Sequence, residues 1–288
     1  MTPGRRSMLL MVAFVALWAA VEALAARLTR PYSPYQVVFT RYVVHVALMA
    51  AVWGWRDPAS LLRTRRPLYQ LARSLLMLSM PASFIVAVQR GLPPAAILSV
   101  FWLVSPLLVL VLARLALGER APLRTWIATA VACAGAAAVF GPGPVPARLA
   151  PLPVAMAASF ALYVAMTRSL RTETTRANLF YTASGVALVL AFAMPRLWVT
   201  PPPRDLAIMA GVGVLGFACL WALDRMAAAA PVSKAAPLAC LQAGFAVGLD
   251  AVVRREPLVA AGATAAGLSL VGAAALYAWV REPAPSVA

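Results

Sequence analysis

The sequence predicts an all-α integral membrane protein whose ten transmembrane helices form two five-helix inverted repeats. Three observations lead there. Of 288 residues, 63% are hydrophobic and only 12% charged, whereas a soluble domain carries about 25% charged residues. The 25 Lys and Arg with nine Asp and Glu are too few to wet a soluble surface of this size. Mean hydropathy is accordingly +0.84. Second, the chain divides into ten apolar runs, each near the roughly 20 residues a bilayer crossing needs. Third, it repeats itself at an offset of 137 residues. Together these exclude a cytosolic enzyme, a secreted disulfide scaffold and a disordered chain.

The runs cover residues 7–26, 35–55, 70–89, 94–113, 124–140, 151–168, 177–195, 206–223, 235–253 and 259–280. Turn and helix-end chemistry fills the gaps: Pro31 to Pro34, Arg56-Asp57-Pro58, Pro93-Pro94, Gly141 to Pro146, and Pro201 to Pro203. The first run imitates a signal peptide, with Arg5-Arg6 ahead of it and Ala23-Leu24-Ala25 resembling a cleavage site. Trp18 and Glu22 crowd that site, and the repeat needs this helix, so it is expected to be retained.

Positive charge orients the chain. With the N-terminus inside, the cytoplasmic segments hold 16 basic residues and the outer loops eight, with Arg41 left inside the second run. The segment from Arg56 to Arg73 is the strongest anchor, and both termini are expected in the cytoplasm. The net charge of +16 would suggest nucleic acid in a soluble protein. Here the charges sit in short clusters between apolar runs, so no nucleic-acid partner is expected. Cys133, Cys219 and Cys240 lie within apolar runs without CxxC spacing. They read as buried small hydrophobes, with no metal site, disulfide or cofactor implied. Lys234 is the only lysine among the 25 basic residues. With the abundant Ala, Pro and Gly, this reads as the coding bias of a GC-rich bacterium.

The offset places Pro94 on Pro231, Glu119 on Glu256 and Gly135 on Gly272. Five runs per half is an odd number, so residues 1–143 and 144–288 must face opposite ways in the membrane. Inverted repeats of this kind belong to secondary transporters, which hold substrate near the midplane between the repeats.

Ser105-Pro106, Leu117-Gly118-Glu119 and Ala134-Gly135-Ala136 form a proline within a long apolar helix, a short LGE stretch and a small-residue patch. The spacing from Pro34 to Arg41 opens the second run in a related way. In these features the sequence resembles the EamA family of the drug/metabolite transporter superfamily. The second copy is degenerate, with Arg255 at the position of Gly118 and Ala243 at that of Pro106. The resemblance implies a metabolite exporter of the bacterial inner membrane, with amino acids prominent among its substrates. Overall likeness points to the aromatic amino-acid exporter branch.

Polar groups within the hydrocarbon usually face a bundle interior or a wet cavity. Trp18 and Glu22 share one helix face, as do Arg41 and His45 on the antiparallel neighbour. Glu22 and Arg41 lie at similar depth, roughly 6–9 Å in, and are expected to pair, as a fixed lock between helices in preference to a gate. His45 is read as a neutral, bonded histidine in preference to a proton carrier. Candidate substrate contacts are Trp18, His45, Ser79, Ser83, Trp102, Ser105, Tyr163 and Gln242; the serines taken singly read as structural. Ser105 and Gln242 occupy equivalent positions in the two repeats. Pro106 and Pro237 are candidate hinges. The GxxxG stretch from Gly244 to Gly248 reads as close packing within the bundle. Glu119 and Glu256 read as solvated helix-end charges. Asp224 with Arg225, and Asp250 with Arg254, read as local pairs.

A secondary transporter working by alternating access fits best, exporting amino acids or similar amphipathic metabolites across the lipid bilayer, with a monomer expected. A proton-coupled multidrug or nucleoside-type exporter of the same fold is the alternative. A membrane-embedded enzyme is not supported, because one histidine, no HExxH, no GxSxG and no Walker A motif leave little chemistry.

Overall fold

The computed structural model describes residues 1–141, 143–254 and 262–281, and the described residues are helical with no strand. Among the described residues the longer helices are α1 (Pro3–Leu28), α2 (Pro34–Met49), α3 (Pro67–Gln89), α4 (Pro94–Leu117), α5 (Leu123–Phe140), α6 (Pro151–Ser169), α7 (Thr175–Ala191), α8 (Pro203–Ala229), α9 (Leu241–Arg254) and α10 (Gly262–Val280). A π-helical turn, Ala50–Gly54, prolongs α2, and single turns at Ala59–Leu62, Met194–Leu197, Val232–Lys234 and Ala236–Ala239 punctuate the loops. Among the described residues, eight segments are long and apolar enough to cross a membrane, including Pro34–Gly54 and Ala236–Val253. The protein is therefore a multi-pass membrane protein. α7 has 17 residues, and the apolar stretch of α10, Thr264–Val280, is also shorter than the eight.

Local chemistry explains the boundaries. Six helices (α1, α2, α3, α4, α6 and α8) carry proline in the first turn, where its missing N–H costs nothing and its fixed φ suits the helix. α7 instead starts at Thr174, whose side chain accepts from the Ala177 N–H at 3.2 Å. α4 ends at Gly118, whose φ of +69° is open to glycine at little cost. That left-handed residue turns the chain back so that Glu119 faces the bundle.

Loop contacts sort into two faces. On the near face, which carries the N-terminus, Glu173 accepts from the Arg65 N–H and Ser7 donates to the Met226 carbonyl. On the far face, Gln36 of α2 donates to the Val199 carbonyl at 2.6 Å and accepts from its N–H at 3.0 Å. Tyr32, in the α1–α2 loop, donates to Asp205 at 2.6 Å. This bond pushes the phenol pKa up from 10.0 to about 12, since ionisation would set two negative charges side by side. The favoured form is the protonated one, so the bond's contribution is present below about pH 10 and fades as pH rises towards 12. The melting-temperature gap between wild type and Tyr32→Phe should close over that window.

The packing follows a pattern. α1 packs on α8, as α3 does on α6; α2 packs on α8, as α3 does on α7; α4 packs on α6, as α1 does on α9. α5 pairs with α10, and α2 with α7. A buried apolar core runs through the bundle from Met8 and Phe14 to Phe101, Phe160 and Met226.

Several sequence expectations change here. Arg73 is no loop anchor: it is 1% exposed within α3, and Arg56, Arg63, Arg65 and Arg66, on either side of the turn at Ala59–Leu62, are the exposed arginines of this segment. Pro106 leaves α4 unbroken, whereas at Pro237 the chain divides into short turns before α9. The GxxxG stretch makes no tight contact, since a methyl group at Gly248 would meet nothing within 4 Å. The tight approaches lie elsewhere. A Cβ on Gly135 would sit 2.7 Å from the Gly267 carbonyl oxygen, and one on Gly213 2.5 Å from Val44 Cβ. Arg255 and Glu256, and the side chain of Arg254, lie outside the described residues. The three cysteines are buried and free, as expected.

Candidate functional site

Buried polar groups form two layers with an aromatic wall between them. Arg41 lies seven residues into α2 from the far face and Arg73 six residues into α3 from the near face, each roughly 9–11 Å along its helix. The antiparallel directions of α2 and α3 thus put one guanidinium at equivalent depth from each side.

The far layer gathers Glu22, Gln242, Arg41 and His45. Gln242 donates from Nε2 to the Glu22 carboxylate at 2.6 Å, and the Trp18 indole and Arg41 guanidinium act on the same carboxylate. Glu22 and Arg41 form no ion pair, which corrects the expected lock. Gln242 has taken the carboxylate, and the Arg41 guanidinium lies 5.2 Å over the Tyr42 ring. His45 packs edge-on to Tyr42 and Phe217. Gly216 of α8 makes room for both basic groups: a Cβ there would stand 2.6 Å from Arg41 Nε and 3.0 Å from His45 Nε2.

The near layer is a chain of hydrogen bonds that the sequence did not announce. Arg73 donates to Thr167 Oγ1 at 2.9 Å, Gln70 Oε1 at 2.8 Å, the Asn178 carbonyl at 2.5 Å and Thr182 Oγ1 at 3.0 Å. Its guanidinium also lies 5.1 Å over the Tyr163 ring. Gln70 donates to Asn178 Oδ1 at 2.6 Å, and Asn178 donates to Asp224 at 2.8 Å. Asp224 therefore reaches across to α7 and makes no pair with Arg225. The available signal was helical spacing within apolar runs, which puts Gln70 with Arg73, and Asn178 with Thr182, on shared faces.

Between the layers stands the aromatic wall. Trp18 lies 5.6 Å from Trp102, 6.0 Å from Phe101 and 5.3 Å from both Phe14 and Phe160, centroid to centroid. Four buried polar atoms lie along this wall and the far layer with no hydrogen-bond partner among the described residues: Trp102 Nε1, Ser105 Oγ, Gln242 Oε1 and His45 Nε2. Arg41 Nε is a fifth. Leaving a buried polar group unpaired costs about 1–3 kcal/mol, so five in one region mark a place built for a missing partner. Ser79 is occupied with Ser159 at 2.6 Å and Tyr163 belongs to the near layer, 3.4 Å from Thr182. Ser83 is half-buried on α3.

Each layer opens onto its own cavity. One of about 550 Å³ at the far face is lined by Glu22, Arg27, Arg30 and Asp250. One of about 540 Å³ at the near face reaches down to Asn178 and Asp224. Neither includes the aromatic wall among its linings.

At the near face the bundle is closed by a buried clamp where the sequence suggested a solvated charge. Glu119, its side chain 8% exposed, accepts from Arg168 Nε at 3.1 Å. Its carboxylate also caps the turn at Val232–Lys234 through the Val232 and Ser233 N–H groups, at 3.3 and 3.2 Å. Arg168 in turn donates to the Ala227 carbonyl at 2.7 Å.

The sequence of α1 to α5 carries a likeness to a known family. Residues 5–141 match the model of the EamA-like transporter family. Over those residues, just under half of the chain, the sequence is similar to that family. The EamA-like match begins and ends with the first five helices. A crystal structure of another protein superposes with a TM-score of 0.80, covering 96% of this chain and 99% of that one at 20% identity. That likeness shows a fold shared over both halves of the chain. A search of curated proteins finds no match.

Proposed function

We propose that this EamA-like protein is a secondary transporter, built as two inverted repeats of five helices at 1–143 and 144–288. It works by alternating access and exports amino acids, aromatic or otherwise amphipathic, across a bacterial inner membrane. The repeat reading rests on the packing pattern. Exchanging each helix of the first half with its counterpart five places on turns α1·α8 into α6·α3, α2·α8 into α7·α3 and α4·α6 into α9·α1, and leaves α5·α10 and α2·α7 unchanged. The excess of basic residues on the near face supports a cytoplasmic N-terminus.

The observation that carries the substrate reading is the set of unpaired buried atoms beside the aromatic wall. Trp102 N–H and Arg41 Nε–H want acceptors, as a carboxylate supplies. Gln242 Oε1 wants a donor, and Glu22 beside it suits an ammonium. Trp18, Phe101 and Phe160 offer ring faces to a flat apolar body. Opening from either side would engage the polar layer on that side in turn, with Pro237 the better placed of the two candidate hinges.

The test is flux of radiolabelled tryptophan or phenylalanine in proteoliposomes, with and without a pH gradient. Trp102→Phe keeps the ring and removes the N–H. It should raise KM about tenfold, the value of roughly 1.4 kcal/mol for one lost hydrogen bond to a charged group. Saturable flux with KM unchanged in Trp102→Phe would remove this tryptophan from the site. No flux above empty vesicles, from folded protein, would overturn the aromatic amino-acid reading.

A further inference from the structure

The two cavities match in size but not in charge. At the far face Arg27 and Arg30 are balanced by Glu22 and Asp250. At the near face Arg6, Arg171, Arg176 and Arg225 face only Glu173 and Asp224. The near lining thus carries a net positive charge and the far lining none. The ion pair found among the described residues, Arg168 with Glu119, uses none of the four arginines. Trp53 and Trp221 line the same cavity, and Arg176 lies 5.5 Å over the Trp53 ring.

We propose that the near-face cavity is a docking site for small organic anions, a carboxylate joined to a flat apolar body. The guanidiniums take the carboxylate in fork geometry, and the two indoles take the ring. A positive cavity with low-dielectric walls also concentrates anions at its mouth and speeds their capture. The far cavity, with balanced charge, has no such bias, so the protein presents different faces to an anion from its two sides. The transport reading gives this site its use, as the place where substrate is loaded, but the binding itself does not depend on transport.

The experiment is equilibrium dialysis of radiolabelled indole-3-acetate against the full-length protein in detergent. The Arg171→Gln/Arg176→Gln variant should weaken binding about tenfold, and raising salt should weaken wild type several-fold. Arg27→Gln/Arg30→Gln should bind as wild type does. Both pairs are on the surface, and circular dichroism melting establishes that each variant is folded. Tryptamine, which carries the ring with a positive charge, should bind more weakly than indole-3-acetate, and the Arg171 and Arg176 changes should strengthen its binding. Absence of saturable indole-3-acetate binding, or binding that follows Arg27 and Arg30 instead, would overturn the proposal. So would complete displacement by phosphatidylglycerol at a few molecules per protein, which would make the cavity a lipid-headgroup site. Failure of the flux experiment with this binding intact would sink the transport reading alone.

Discussion

Replacing Glu119 with alanine should cost the fold about 3–5 kcal/mol, the usual penalty for removing one partner of a buried ion pair. The carboxylate serves four groups at once: Arg168 Nε, the Val232 and Ser233 N–H groups, and, through Arg168, the end of α8. Without it, a cation whose side chain is 13% exposed loses its counter-charge, and a capped turn loses its acceptor. Glu119→Gln keeps the size and an acceptor oxygen and should lose less. Thermal unfolding in detergent would rank the three proteins. A Glu119→Gln/Arg168→Met cycle should give a coupling of about 1–3 kcal/mol. If both single variants melt with wild type, the clamp is ornamental and the loops are held by packing alone.

The second large effect is expected at Arg73. Arg73→Met conserves length and apolar stem but removes the donors to Thr167, Gln70, Thr182 and the Asn178 carbonyl. Two terms oppose each other. Taking a guanidinium out of the interior recovers several kcal/mol of desolvation, while each abandoned buried acceptor costs about 1–3 kcal/mol. With four acceptors affected, the loss should prevail by roughly 3 kcal/mol. Arg73→Lys keeps the charge but cannot span the fork, so it should fall between. A Met variant as stable as wild type would mean that water or rearranged side chains replace the network, and that Arg73 is not needed for folding.

Much of the fold was legible because the signals were local. A run of some 20 apolar residues needs no partner to be recognised, and the prolines that start α2, α3 and α4 lie beside the runs they open. The aromatic wall was legible in part, since Trp18 and Trp102 are out of place at span centres. The near layer was not. Arg73 sits two turns inside α3, close enough to the arginines of the preceding loop to be counted with them. Its acceptors on α6 and α7 lie 94 to 109 residues further along the chain. The same distance hid the role of Glu119, which stands next to Arg120 in sequence but turns towards Arg168 and Val232 because Gly118 reverses the chain. Glu22 and Arg41 were expected at one depth, yet depth says nothing of azimuth, and Gln242, 220 residues further along the chain, donates to the carboxylate.

Gly135 and Gly267 lie so close that neither could carry a methyl group without striking the other helix's backbone. Contact through side chains can be repacked by rotamer changes, but contact between backbones has no such slack. α5 and α10, the last helix of each half, are thus riveted to one another and turn only as a unit. Under the alternating access proposed above, the α5–α10 pair would be the axle about which the rest of the bundle rocks.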